Sequence, residues 1–251
     1  MMKILVTNDD GIYADGIYAL ATALAKVGEV TVVAPDTQRS AVGHAITLTD
    51  PLRVGKARRN KKFFGYATSG TPADCVKLAI KSIMKGKPDL VVSGINLGAN
   101  SGMNILYSGT VSGATEGALL GITSFAISLD TFVDPDFSVA AEFAVKMALA
   151  LKKKKIPKGT LLNVNVPALP KSRVKGVKFT SQSHTLFRDW FQKRVDPHGQ
   201  TYYWMTGKFR TCSAEPGSDV SAVDKGFISV TPIQFDLTDY KFLSELETWD
   251  I

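Results

Sequence analysis

Apolar residues in the first two-thirds of the chain alternate between short continuous runs and stripes at helical spacing. "KILVT" (3–7) and "EVTVVAP" (29–35) are brief and rich in branched residues, as buried strands require. Between them "DGIYALATALAKVG" places Ile17, Leu20, Ala21 and Leu24 on one helical face, with Gly28 where a C-cap would stand. "TPADCVKLAIKSIMKG" predicts a helix with Thr71 as N-cap, Pro72 at the first position and Asp74 in the first turn. "PDLVVSG" is another buried strand, "TVSGATEGALLG" a helix of small residues, and "SFAISL" the next strand. Residues 136–152 form a further helix with Ala140, Phe143, Ala144, Met147 and Leu151 on one stripe, and "GTLLNVNVP" closes the series. Apolar strands separated by amphipathic helices predict an α/β fold, a mostly parallel sheet covered on both faces.

After about residue 170 the rhythm changes. Phe187, Trp190, Phe191, Tyr202, Tyr203 and Trp204 flank a turn signal at Asp196-Pro197-His198-Gly199, which predicts an extended hairpin. Aromatic residues on an arm outside the main sheet suggest packing on a neighbouring subunit; an ordinary hairpin folded onto its own domain is the alternative. The expected division is a catalytic core over 1–170 and, over 171–251, a hairpin arm with a C-terminal oligomerisation segment, completing one domain.

A chain of 251 residues with 45% hydrophobic content has ample core for this architecture. No apolar run reaches the roughly 18 residues of a membrane helix, so no membrane partner is expected. Lys3 is followed by a strand-like run and then acids, unlike a signal peptide. Cys75 and Cys212 have no metal-ligand spacing and need not pair, and the natural location is the cytoplasm. Thirty Lys and Arg against 23 Asp and Glu give a net charge of +7, and the pI is about 9.3. Much of that charge sits in "GKARRNKK" (55–62), read as a solvated hairpin or loop, and in "KKKK" (152–155), at a helix end where cations suit the dipole. Neither run is interleaved with aromatics as in a single-strand binder, so no nucleic-acid partner is expected.

The candidate chemistry lies at the carboxyl ends of the strands, where ligands of such sheets bind. Asn8-Asp9-Asp10-Gly11 follows the first strand directly. Two adjacent carboxylates there repel each other and resist desolvation. "NDDG" as a hairpin turn fits poorly, because a helix follows rather than a second strand. One Asp could cap that helix, but capping cannot occupy both. A hard divalent cation, Mg²⁺ or Mn²⁺, would take both sets of oxygens and cancel the repulsion. Further oxygen donors sit on other strand-end loops: Ser40 in "APDTQRSAVGH", Asn96 and Asn100 in "SGINLGANSG". Ser108-Gly109-Thr110 precede the small-residue helix, either as simple caps or as a phosphate seat at a helix N-terminus.

G-x-S-x-G, G-x-x-x-x-G-K-[ST] and G-x-G-x-x-G are all missing. "DPDFS" (134–138) reads as a turn and helix cap, and His44, His184 and His198 are too scattered for a metal cluster. His44 is close to the Ser40 loop and reads as a satisfied loop histidine or a ligand contact.

"ILVTNDDGI", "VVAPDTQRSAVGH", "SGTPADCVKLA", "VVSGINLGANSGMNILYSGTVSGATEGALLGI" and "LLNVNVP" together resemble the SurE stationary-phase survival proteins, metal-dependent 5′/3′-nucleotidases. The likeness runs from Lys3 to about residue 235, through "YYWM" and "GFISVTPI". It implies a three-layer Rossmann-like fold and one divalent cation per subunit on Asp9, Asp10, Ser40 and Asn96. It also implies a phosphate pocket at Ser108, Gly109 and Thr110; Asn8 and Asn100 are expected to bind the phosphate with them, and Asp9 and Asp10 to be the catalytic pair. Homodimers or homotetramers exchanging C-terminal segments follow from the same resemblance. So does hydrolysis of nucleoside monophosphates, in some members of polyphosphate. A nucleotide-binding module without catalysis is the alternative.

Overall fold

The computed structural model describes residues 1–185, 188–208 and 214–250. Phe187 and Cys212 lie outside those residues. Five parallel strands form the centre of the main sheet: β1 (Met2–Thr7), β2 (Gly28–Pro35), β5 (Leu90–Leu97), β6 (Thr123–Asp130) and β7 (Thr160–Pro167). The hairpin β3 (Val54–Arg59) and β4 (Lys62–Thr68) extends one edge, with β4 parallel to β2. On the other edge β11 (Ile228–Gln234) runs antiparallel to β7, and β8 (Val177–Phe179) pairs outside it. The full order is β3-β4-β2-β1-β5-β6-β7-β11-β8. The basic run "GKARRNKK" is the β3–β4 hairpin, with its charges largely in solvent.

The central strands are apolar along their whole length because both faces are covered. On one face, α1 (Asp15–Leu24) and α4 (Ser138–Lys153) bury Ile17, Leu20, Leu24, Ala140 and Ala144 against Ile4, Val6, Val92 and Ile127. On the other, α2 (Pro72–Leu78) and α3 (Gly109–Leu119) cover Leu5, Val91 and Ala126. Period-2 alternation splits β1 between the two layers, Ile4 and Val6 one way and Leu5 the other. The helix start at Thr71 is a complete capping box: its hydroxyl accepts from Asp74 N while Asp74 Oδ2 accepts from Thr71 N.

Gly28 is placed differently from the sequence expectation. The C-cap of α1 is Ala25, and Gly28 opens β2. The reason is close approach: a Cβ there would lie 2.6 Å from Met2 O and 2.7 Å from Ile4 Cδ1. The glycine is therefore set by the β1–β2 spacing and not by helix termination.

The hairpin strands β9 (Arg188–Val195) and β10 (Thr201–Lys208) form a separate two-stranded sheet, joined by the turn at Asp196–Gly199. Two short helices follow, α5 (Asp219–Asp224) beside β11 and α6 (Tyr240–Leu246). Asp219 accepts from Gly102 N at 2.9 Å and Ser183 N at 3.0 Å, which ties the C-terminal segment to the loop after β5. Among the described residues no helix is long and apolar enough to cross a membrane.

Candidate active site

The carboxyl ends of β1, β2 and β5 meet the first turn of α3, and the predicted residues gather there. Asp9 is 4% exposed. Its Oδ1 accepts a short hydrogen bond from the Thr110 hydroxyl, and its backbone carbonyl accepts from Arg39 N at 2.7 Å. Asp10 Oδ2 accepts from Leu97 N at 3.3 Å, which places the second carboxylate next to Asn96. Gln38 Nε2 donates to Ser40 Oγ at 2.9 Å and lies 3.5 Å from Asp10 Oδ1, so a single amide spans Ser40 and Asp10. Asn96 spends its Nδ2 on Leu97 O and Gly98 O, at 3.0 and 2.8 Å, leaving Oδ1 as its remaining polar atom.

Burial pushes Asp9 up to about 6, opposed by the Thr110 hydrogen bond and reinforced by the charge of Asp10. Burial also raises Asp10, against the hydrogen bond from Leu97. Among the described residues neither carboxylate has a Lys, Arg or His within ion-pairing distance. Paired acids without a counter-charge are what a hard cation relieves, and the surrounding donors are all oxygens. Among the described residues no group of three or more His, Cys, Asp or Glu forms a metal site, so two carboxylates would have to be completed by neutral Asn and Ser oxygens. The donor set fits Mg²⁺ or Mn²⁺ and lacks the sulfur and imidazole of a zinc centre.

α3 begins at this point. Ser108 is its N-cap, the hydroxyl accepting from Val111 N at 3.1 Å, so capping is established and the hydroxyl proton is left for another acceptor. Gly109 faces Asp9 directly: a Cβ would lie 2.8 Å from Asp9 Cβ, 2.9 Å from Asp9 Oδ2 and 3.2 Å from Arg39 O. Only a residue without a side chain lets the helix N-terminus approach the carboxylate. Thr110 points its hydroxyl at Asp9, and its backbone N–H lies on the same side, where it also acts on that carboxylate.

The two remaining phosphate candidates are engaged elsewhere. Asn8 Nδ2 donates to Gly11 O at 2.9 Å and braces the turn, while its buried Oδ1 has no partner among the described residues and would suit a donor better than an anion. Asn100 is buried, donating Nδ2 to Ser128 Oγ at 2.9 Å, and its backbone is held by Asn163 and Asn165. His44 Nε2 lies 2.9 Å from Glu116 Oε2, a satisfied loop histidine. Ser138 N donates to Asp136 Oδ1 at 2.9 Å, so "DPDFS" is a turn leading into α4.

Sequence reasoning missed Gln38, which is one polar residue among several in its loop and carries no local signal. It also missed Glu116, whose signal was present: a lone acid inside a helix otherwise made of small and apolar residues.

A family profile described as survival protein SurE matches residues 4–189. "5'-nucleotidase SurE" of Syntrophobacter fumaroxidans is 50% identical over 250 residues, covering all of both chains. The protein of the same name from Thermosipho melanesiensis is 51% identical over 246 residues, 98% of this chain and 96% of that one. The crystal structure of SurE protein from Aquifex aeolicus superposes with a TM-score of 0.86 at 42% identity, covering 98% of each chain. With this agreement along its whole length, the chain belongs to the SurE family.

Proposed function

We propose that this protein hydrolyses nucleoside 5′-monophosphates to nucleoside and phosphate, with one divalent cation held by Asp9, Asp10, Ser40 and Asn96. One observation carries the reading: two adjacent carboxylates, Asp9 buried and Asp10 partly buried, are unpaired by any cationic side chain among the described residues, and Asp9 faces the N-terminus of α3. The relatives named 5′-nucleotidase, about half identical over the full chain, support the reaction.

Phosphomonoester hydrolysis is very slow without catalysis, and the demand on the site is to neutralise charge on the phosphoryl oxygens. A bound cation would supply that neutralisation and Lewis-acid polarisation. The chain supplies the rest. Backbone N–H groups of Gly109 and Thr110, with the helix dipole, seat the phosphate oxygens opposite the carboxylates. The Ser108 hydroxyl donates to one of those oxygens while its lone pair still caps the helix. Thr110 fixes Asp9 in one rotamer through its hydroxyl. A carboxylate of the pair accepts the proton of the attacking water. Asn8 and Asn100 stand behind this surface, bracing the loops that present it.

Residues 1–170 form the catalytic core in this reading, and 171–251 the arm and oligomerisation segment. The hairpin packs on a second copy in a homodimer or homotetramer. The enzyme works in the cytoplasm on the free nucleotide pool. Phosphate release from AMP or GMP, measured with Mn²⁺ or Mg²⁺ and again in EDTA, tests the proposal. Release that depends on the cation is expected. Nucleotide binding without release would make the chain a binding module, and equal release in EDTA would remove the cation from the scheme.

A further inference from the structure

The contact between Glu116, His44 and Lys77 lies outside the reacting groups. Glu116 is 2% exposed and sits in α3 among Gly113, Ala114, Gly117 and Ala118. An ionised carboxylate there loses its hydration and needs charged partners in return. Both oxygens have one: Oε2 meets His44 Nε2 at 2.9 Å and Oε1 accepts a short hydrogen bond from Lys77 Nζ. Burial pushes the group up, but the hydrogen bonds and charges of His44 and Lys77 outweigh it and hold the carboxyl below its ordinary range. Replacing such a cluster as a whole by well-packed apolar side chains is often neutral or stabilising. Packing alone therefore gives no reason for an acid at this position.

The connection it makes does give one. His44 is four residues beyond Ser40, in a stretch between β2 and β3 with no regular secondary structure. The course of this stretch is set by its tethers. Before Ser40, Arg39 N bonds Asp9 O at 2.7 Å; after it, Gly43 N bonds Tyr107 O at 3.1 Å. Thr47 donates its N–H and hydroxyl to the two oxygens of Asp74, at 3.0 and 2.7 Å, and the Thr71 hydroxyl donates to Ala45 O at 2.7 Å. Among the side-chain ties of the described residues, the Glu116–His44 pair is the one that reaches α3. Glu116 lies six residues beyond Thr110, about 9 Å along the helix axis. The helix that meets Asp9 with its first turn thus grips the Ser40 loop with its second.

We propose that Glu116 is a positioning residue: through His44 it fixes the Ser40 loop on α3, so that the Ser40 oxygen is delivered in register with Asp9 and Asp10. This rests on the reading that Ser40 is a cation ligand.

Calorimetric titration with Mn²⁺, on wild type, S40A, H44A, E116Q and the double variants S40A/H44A and S40A/E116Q, tests it. S40A and H44A should each weaken Mn²⁺ binding about tenfold. Each double variant should bind no more weakly than S40A, because loop placement matters only through the ligand it places. Should H44A fail to fold, the near-isosteric E116Q takes its place in the same comparison. Wild-type Mn²⁺ affinity in H44A and E116Q, or losses that simply add to that of S40A, overturns the proposal. Unchanged affinity in S40A overturns it together with the ligand set. The readout is binding and not turnover, so a wild type that binds Mn²⁺ yet leaves AMP intact counts against the activity alone.

Discussion

At the scale of single residues, function and stability oppose each other at Asp9. Its folded-state value of about 6 lies above the ordinary 3.8, so the metal-free native state binds a proton more readily than the unfolded chain does. The resulting penalty is absent below about pH 4, grows as pH rises toward 6, and is complete above it. A shift of that size corresponds to roughly 2–3 kcal/mol. Asp9→Asn removes the ionisation and keeps an oxygen for the Thr110 hydroxyl. Thermal unfolding in EDTA at pH 8 should therefore show this variant more stable than wild type by roughly 5–10 °C. The gain should fade as pH falls toward 4, while turnover is lost at every pH. A variant less stable than wild type at pH 8 would mean that the carboxylate is already compensated. Gly109→Ala makes a sharper point, since its Cβ would lie 2.8 Å from Asp9 Cβ. Helix or carboxylate must shift to admit it, so the variant should unfold at a lower temperature than wild type and lose at least tenfold in AMP turnover, as misplaced catalytic groups do. Normal turnover would show that the helix has room to withdraw.

At the scale of elements, the parts legible in the sequence are those whose cause is local. Thr71, Pro72 and Asp74 mark the start of α2 as expected because capping is local, and the structure adds that Thr71 and Asp74, three residues apart, close into a capping box. Thr71→Ala should cost about 1 kcal/mol, which for a chain of this length lowers the unfolding temperature by roughly 2–4 °C. Scanning calorimetry measures it directly, and an unchanged midpoint would assign the box no net stability. Other features have causes far away in sequence. Gly28 looks like a helix stop, but it is required by Met2 and Ile4 on the neighbouring strand. β11 has apolar residues in strand rhythm, yet nothing local says that it pairs antiparallel with β7, more than 60 residues earlier. The candidate site divides in the same way. Adjacent acids at a strand end are visible as a charge problem, and Ser108 is visible as a cap. That the Thr110 hydroxyl turns to Asp9, or that Gln38 spans Ser40 and Asp10, follows only from three loops converging.

At the scale of the whole molecule, the β9–β10 hairpin has, among the described residues, little contact with other elements to account for it. An isolated two-stranded hairpin is marginal in water, and the β9–β10 pair carries large aromatic or apolar side chains on both faces among its charged ones. Register puts Trp190, Tyr202 and Trp204 on one side and Phe191, Tyr203 and Met205 on the other. Phe191, Tyr203, Trp204 and Met205 are each about 60% exposed. α6 adds Tyr240, Phe242 and Leu243, also exposed. Apolar surface concentrated on a projecting arm is characteristic of an interface between copies, and closed symmetry would cover both arms at once. Light scattering on the purified protein should therefore give the mass of a dimer or tetramer. Replacing Trp190 and Trp204 together by Ser should reduce that mass or make it depend on concentration in the micromolar range. The core that holds Asp9 and Asp10 is built from β1, β2, β5 and α3, all distant in sequence from the arm. Mn²⁺ binding by the weakened assembly should accordingly persist. A wild-type protein that is monomeric at micromolar concentration would remove the interface, and would leave the aromatic arm to be explained by a different partner.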